Sequence, residues 1–329
     1  MKRLLGVGVL LAALAAVLFV VPSDHYLFLP DPARPVDPLV SVPGETTDAG
    51  EGEDGGFYMV DIVVRRASLF ERLFPGVQKG ASLHPREAVN PQGVSESQRR
   101  QTSLNQMSRS QEIAVTVALR SLGRKVGIRR RGVEVVTVLP GAPADGVLEV
   151  GDVIVAARGE RVGSPAELVR AMRPVRPGER VDLEVVRSSR RRALSLSTRQ
   201  AQDDAGRAVF GVIVEQAADF RFPIDVEIDA GDIGGPSAGL AFALEVADEL
   251  GRDLDGGRRI AATGELDLAG EVGTIGGIEQ KTIGAREAGA DLFLVPDANA
   301  AAARRAAGDD LDVVAVSSFR EAISRLRGG

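Results

Sequence analysis

The sequence predicts an α/β (α+β) fold in which a larger domain is interrupted by a small β-rich module and preceded by a single N-terminal transmembrane helix. Three observations carry this expectation. Leu4 to Val21 hold no charge, and residues 123–200 contain several short segments that alternate at period two. Residues 225–250 pass from a strand through a glycine-rich loop into an apolar helix.

Composition narrows the chemistry before any motif is read. The 329 residues, 44% of them hydrophobic, suffice for two or three packed domains. Net charge is −6 with Arg spread along the chain, which argues against a broad nucleic-acid surface, and the run Arg190-Arg191-Arg192 reads as a solvated hairpin tip. Cysteine is absent, which excludes disulfides, thiolate zinc sites and a cysteine nucleophile. Only His25 and His84 occur, so a His-based triad or a multi-His metal site has almost nothing to draw on, and neither a metal nor a cofactor is expected. Lysine is nearly as rare: Lys2, Lys79, Lys125 and Lys281 are the full set. Arg stays protonated, whereas a buried lysine can lose its proton and serve as a base.

Along the chain, Lys2 and Arg3 precede the uncharged run Leu4 to Val21. Eighteen helical residues span roughly 27 Å, close to the bilayer core, and the flanking charges place the N-terminus on the cytoplasmic side. Residues 1–22 are therefore expected to be a signal anchor in the cell membrane, with the remainder extracytoplasmic. A cleaved signal peptide is the alternative, although no small-x-small site follows the run. Residues 23–55, rich in Pro, Gly, Asp and Glu, read as a flexible tether. Residues 56–122 hold one strand, Phe57 to Val64, and a helical run ending near Ser110 to Leu119.

The module at 123–200 begins with a strand at Val133 to Val138, a turn at Pro140 to Pro143 and a second strand at Val150 to Val155. Ser164 caps a short helix with Pro165 at its first position, and Arg180 to Arg187 and Arg192 to Ser197 close the module. The strings V-x-P-G-A-P-A-D-G at 138–146, L-x-V-G-D-V-I at 148–154 and S-P-A-E-L at 164–168 resemble a bacterial-type PDZ domain. The resemblance implies that a C-terminal peptide adds as a strand beside a carboxylate-binding loop, here Lys125, Val126, Gly127 and Ile128. A module that binds no peptide is the alternative.

In the third segment Ser237 stands at the start of a helix whose apolar face includes Leu240, Phe242, Leu244 and Val246. Unpaired N–H groups and the helix dipole favour negative charge there, as at an oxyanion; an N-cap serine is the commoner role for such a residue. No G-x-x-x-x-G-K-[ST] string occurs anywhere in the chain. Lys281 opens a second helix, roughly 278–288, among Gly, Ile and Ala residues that would desolvate its amine. A strand at 290–296 and a helix at 318–326 follow.

Three strings, G-P-S-A-G at 235–239, T-G-E at 263–265 and I-G-G-I-x-x-K at 275–281, together resemble the proteolytic domain of the Lon family of serine peptidases. That resemblance implies Ser237 as nucleophile, Lys281 as general base and Thr263 as an orienting neighbour, with Gly235, Pro236, Ala238 and Gly239 shaping the nucleophile's turn. Other members carry an acidic residue directly before G-P-S-A-G; here it is Gly234, with Asp232 two positions earlier. The segment 201–329 is short for such a domain, so residues 56–122 are expected to complete it and the PDZ module at 123–200 to be inserted; a separate N-terminal domain is the alternative. The expected activity is an ATP-independent endopeptidase acting on extracytoplasmic or membrane-proximal proteins, in a homo-oligomeric ring by family resemblance. A catalytically inert PDZ scaffold is the competing reading.

Overall fold

The computed structural model describes residues 18–43, 55–89, 95–201 and 206–328. In chain order the first elements are β1 (Pro22–Pro30), β2 (Arg34–Pro35), β3 (Val40–Ser41), β4 (Gly56–Met59), β5 (Ile62–Ser68), α1 (Leu69–Leu73), β6 (Ser82–Pro85), α2 (Arg86–Val89) and α3 (Glu96–Ser121). Next come β7 (Gly127–Val138), β8 (Val153–Ala157), β9 (Glu160–Arg161), α4 (Pro165–Met172), β10 (Arg180–Arg187), β11 (Arg190–Ser197), β12 (Arg199–Gln200), β13 (Ala208–Val209) and β14 (Val212–Arg221). The chain ends with β15 (Glu227–Ile228), α5 (Gly239–Ala247), β16 (Arg259–Ala262), β17 (Glu265–Leu266), β18 (Val272–Gly273), α6 (Ile278–Glu287), β19 (Leu292–Pro296), α7 (Asp297–Ala307), β20 (Asp312–Val316) and α8 (Phe319–Arg327).

Two compact units result. The first joins Met1–Asn90, Ser103–Lys125 and Pro223–Gly329; the second joins Pro91–Thr102 and Val126–Phe222. The first unit contains a five-stranded sheet of order β2-β4-β16-β19-β20, parallel except for the short edge strand β2. Its strands are apolar on both faces (all five residues of β19 are buried), as expected for a sheet covered by helices. Helix α5 is wholly buried, and Phe293, Val295, Ala303 and Val313 belong to a hydrophobic core cluster of this unit. An antiparallel sheet of order β5-β1-β6 completes this unit.

The second unit is a sheet of order β11-β10-β8-β7-β14 with α4 packed on it around Val133, Ile154, Leu168, Leu183 and Val185. Ser164 accepts a hydrogen bond from the Glu167 N–H and so caps α4, as its position before Pro165 predicts. Asp152, with no exposed surface, is held by Arg187 through two bonds of 2.6 Å, and Arg187 also reaches Glu149 at 2.5 Å.

The N-terminal expectations need correction. The transmembrane helix read at 1–22 falls outside the described residues as far as residue 17. From there the chain is helical only to Val20, and Pro22 opens β1. Among the described residues no helix is long and apolar enough to cross a membrane. The expected architecture is corrected at its described end: no helix there supports the single-pass placement with an extracytoplasmic catalytic domain, and a strand begins at Pro22 where a spacer would have to follow. The tether expected over 23–55 also proves ordered in part. Tyr26, Leu27 and Val36 are buried, so a Pro- and Asp-rich composition there conceals strands β1, β2 and β3.

Candidate active site

Three segments of the first unit converge on one lysine. Lys281 lies in the first turn of α6 and is 3% exposed, flanked by buried Gln280 and Thr282. Its Nζ stands 2.6 Å from Ser237 Oγ, 3.2 Å from Thr263 Oγ1 and 3.0 Å from the Val60 carbonyl oxygen. As an ammonium the group can donate to all three; as a neutral amine it can donate to the Val60 carbonyl and Thr263 and accept from the Ser237 hydroxyl, so burial leaves no unmet polar group in either form.

Ser237 occupies a turn two residues ahead of α5, half-buried, with Ala238 rather than Ser237 at the cap position. Its own side chain makes no cap bond, which leaves Oγ turned to Lys281. The backbone around it is pinned on every side. The Ser237 carbonyl accepts from the Gly264 N–H at 2.8 Å and from Thr263 Oγ1 at 3.1 Å. The Pro236 carbonyl accepts from Ser110 Oγ at 2.9 Å, and the Gly235 N–H donates to the Ser103 carbonyl at 2.8 Å. Gly235 adopts φ of +95°, a conformation that a side chain would strain. Thr263, with no exposed surface, sits just past β16 and donates its backbone N–H to Leu294 of β19, so the parallel sheet sets its position.

The electrostatics follow from burial. Desolvation lowers the Lys281 amine from the ordinary lysine value to about 8, opposed by the charge of Asp61. Burial raises the Asp61 carboxyl to about 6, helped by a hydrogen bond with Asp31 and opposed by Arg34, whose guanidinium is 3.6 Å away. One Asp61 oxygen, Oδ1, is buried with no hydrogen-bond partner. A lysine of this kind is neutral in a sizeable fraction of molecules near neutral pH, which a base must be.

The residues read from sequence are thus placed as follows. Ser237, Lys281 and Thr263 come together, and Gly235, Pro236, Ala238 and Gly239 form the turn that presents Ser237. Gly234, which stands where an acid was expected, has no room for one: a Cβ there would run into the Ser103 side chain and backbone. Asp232 is exposed. The single strand expected from Phe57 to Val64 is broken into β4 and β5, and the break delivers the Val60 carbonyl and Asp61 to the lysine. Sequence reasoning missed both, although a lone Asp inside the run F-Y-M-V-D-I-V-V was a visible interruption. Lys125 and Val126 precede β7, but Gly127 and Ile128 are not loop residues; they pair in β7 with Arg221 and Phe220 of β14. β8 pairs with β7 only at Val133 and Glu134, so at Gly127 and Ile128 no strand among the described residues pairs with the side of β7 away from β14, and β11 and β14 are the outer strands of the sheet.

Two family models match the chain. The Lon protease (S16) C-terminal proteolytic domain matches residues 188–326, and the PDZ domain matches residues 113–198. Among curated proteins, the chain is 27% identical over 147 residues to Lon protease of Mycoplasma pneumoniae, covering 40% of this chain and 18% of that protein. It is 32% identical over 107 residues to Lon protease 2 of Bacillus subtilis (32% of this chain, 18% of that one). It is 40% identical over 81 residues to Lon protease 1 of Myxococcus xanthus (24% and 10%). The chain thus spans less than a fifth of the length of these relatives. Among solved structures, the PDZ domain of the SdrC-like protein from Listeria monocytogenes aligns at 21% identity over 25% of this chain and 86% of that one, with a TM-score of 0.24. The chain therefore contains a Lon protease C-terminal proteolytic domain, within which both Ser237 and Lys281 fall, and a PDZ domain.

Proposed function

We propose that this protein is a serine endopeptidase in which Ser237 is the nucleophile and Lys281 the general base. The observation that carries the proposal is the 2.6 Å contact between Ser237 Oγ and a lysine amine that burial has driven toward its neutral form. In the proposed cycle, neutral Lys281 takes the Ser237 proton as Oγ attacks the substrate carbonyl carbon. The resulting oxyanion lies beside the N-terminus of α5, whose dipole favours negative charge. Lysine then returns the proton to the departing amine, and the acyl-enzyme forms. A water molecule, deprotonated in turn by Lys281, releases the acid product and restores the serine. Thr263 holds the Ser237 carbonyl with its hydroxyl while accepting from Lys281, and so fixes both partners in one frame.

The proposed substrates are unfolded chains and flexible protein termini, cleaved without nucleotide, since the chain has no phosphate-loop string. A peptide bound by the PDZ domain would add as a strand at an edge the sheet leaves open, which includes the start of β7 on the side away from β14 as well as the outer strands β11 and β14.

Incubation of the protein with an unfolded substrate tests the proposal. Wild type is expected to cleave it, and Ser237→Ala and Lys281→Ala are expected to lose cleavage. Cleavage retained in either variant overturns the dyad. A wild type that binds peptides without cutting them favours the scaffold reading instead.

A further inference from the structure

The helix that begins beside Ser237 ends in an arrangement that catalysis does not use. Helix α5 is apolar except for Glu245, which lies in its last turn and is 4% exposed. Of its two carboxylate oxygens, Oε2 is buried without any hydrogen-bond partner. An isolated buried carboxylate is among the costliest groups a fold can hold. Here the neighbours worsen the cost. Carboxylate oxygens of Asp37, Glu245 and Glu249 all lie within 4.8 Å of one another. Asp248 and Asp255 bring two more acids to the same neighbourhood.

The position along the helix sharpens the point. A helix C-terminus carries partial negative charge and favours cations, yet the last turn of α5 contains no basic residue. Three elements have converged acids on the one end of the helix where acids are least favourable. A cation among them would answer the orphaned oxygen, the mutual repulsion and the helix dipole together. The donors are all carboxylate oxygens, with no histidine among them and no cysteine in the chain, which suits a hard ion and not zinc.

We propose that Asp37, Glu245 and Glu249 form a binding site for a hard divalent cation of the Ca²⁺ or Mg²⁺ kind, at the C-terminal end of α5 and separate from the Ser237–Lys281 pair. No metal was expected, because the three acids come from the segment between β2 and β3, from α5 and from the turn after it. Occupancy stabilises the first unit at the far end of the helix that presents Ser237. The proposal does not depend on the peptidase reading, since its readout is stability.

The test is thermal unfolding of the full-length protein after chelation, with Ca²⁺ or Mg²⁺ added back, for wild type, Glu245→Gln and Asp37→Asn. Wild type is expected to gain roughly 5–10 °C at a cation concentration about 100 times the dissociation constant. Glu245→Gln should melt above wild type in chelator and gain nothing from either ion. Asp37→Asn, a change at an exposed side chain, should need a higher cation concentration for the same gain. A wild type indifferent to both ions overturns the site and leaves Glu245 as a neutral buried acid. So does Asp37→Asn responding at the wild-type concentration, a result readable even if Glu245→Gln fails to fold.

Discussion

Replacing Lys281 with methionine separates what this residue does for chemistry from what it costs the fold. The amine is lowered from the ordinary lysine value of 10.5 to about 8, chiefly by burial. That difference corresponds to about 3 kcal/mol between the charged and neutral forms. Because the folded-state value is the lower one, the group's favourable contribution is complete only above pH 10.5, and it is lost as pH falls through about 8. Below that point the folded protein carries a charge in a place that solvates it poorly. Methionine has nearly the same length, keeps the apolar contacts of the stem and has no proton to lose. It does leave the Val60 carbonyl without its donor, a loss of about 1 kcal/mol at every pH. Urea unfolding of both proteins between pH 7 and pH 10.5 reads the prediction. The difference in unfolding free energy, wild type minus Lys281→Met, should rise by about 3 kcal/mol across that interval, the titrating groups not coupled to Lys281 cancelling. Parallel curves would refute the argument, since they would mean that the amine titrates alike in the folded and unfolded chains.

Other outcomes follow from the same geometry. Asp61→Asn removes the charge that opposes deprotonation of Lys281, so the rise of activity with pH should move to lower pH, measured as the midpoint of the kcat/KM profile. Thr263→Val keeps the shape but loses the hydroxyl shared by the Ser237 carbonyl and Lys281; kcat should fall roughly tenfold to hundredfold with the melting temperature little changed. Arg187→Ala strands Asp152, whose side chain has no exposed surface, and should destabilise the PDZ unit by roughly 3–5 kcal/mol in a denaturant melt, whereas an exposed pair such as Arg191–Glu184 should be worth a fraction of that.

What the sequence made legible was whatever depends on local pattern. The helices at 164–172, 278–288 and 318–326 and the strand at 290–296 announce themselves by caps, periodicity and apolar runs, and α4, α6, α8 and β19 lie within a residue or two of those bounds. Ser237 stood out through the string G-P-S-A-G and Lys281 through the rarity of lysine and its small apolar neighbours. What stayed hidden depends on pairing across long intervals. The segment from Pro22 to Pro30 looks like a tether because its partners, Ile62 to Ser68 and Ser82 to Pro85, are distant in sequence and supply the burial of Tyr26 and Leu27. Periodicity joined Phe57 to Val64 into one strand, since it registers apolar content and not the sheet to which each half belongs; β4 pairs with β16 and β5 with β1. The apolar N-terminal run carried too much weight because hydropathy reports length and composition alone. The reading of Gly127 and Ile128 as loop residues failed for the same reason as the tether, their strand partner β14 lying some ninety residues away. Glu245 is the opposite case. Its single charge in an apolar helix was plain to see, and only the fold reveals that Asp37 and Glu249 are beside it.

The central claim, that Ser237 attacks because Lys281 takes its proton, is tested most directly by covalent labelling with a serine-reactive phosphonate. The account predicts one adduct, on Ser237 by mass spectrometry, forming at a rate that rises with pH through about 8 in the wild type and that is lost in Lys281→Met. Labelling of another serine, or a Ser237 rate unchanged by pH and by removal of the lysine, would contradict it.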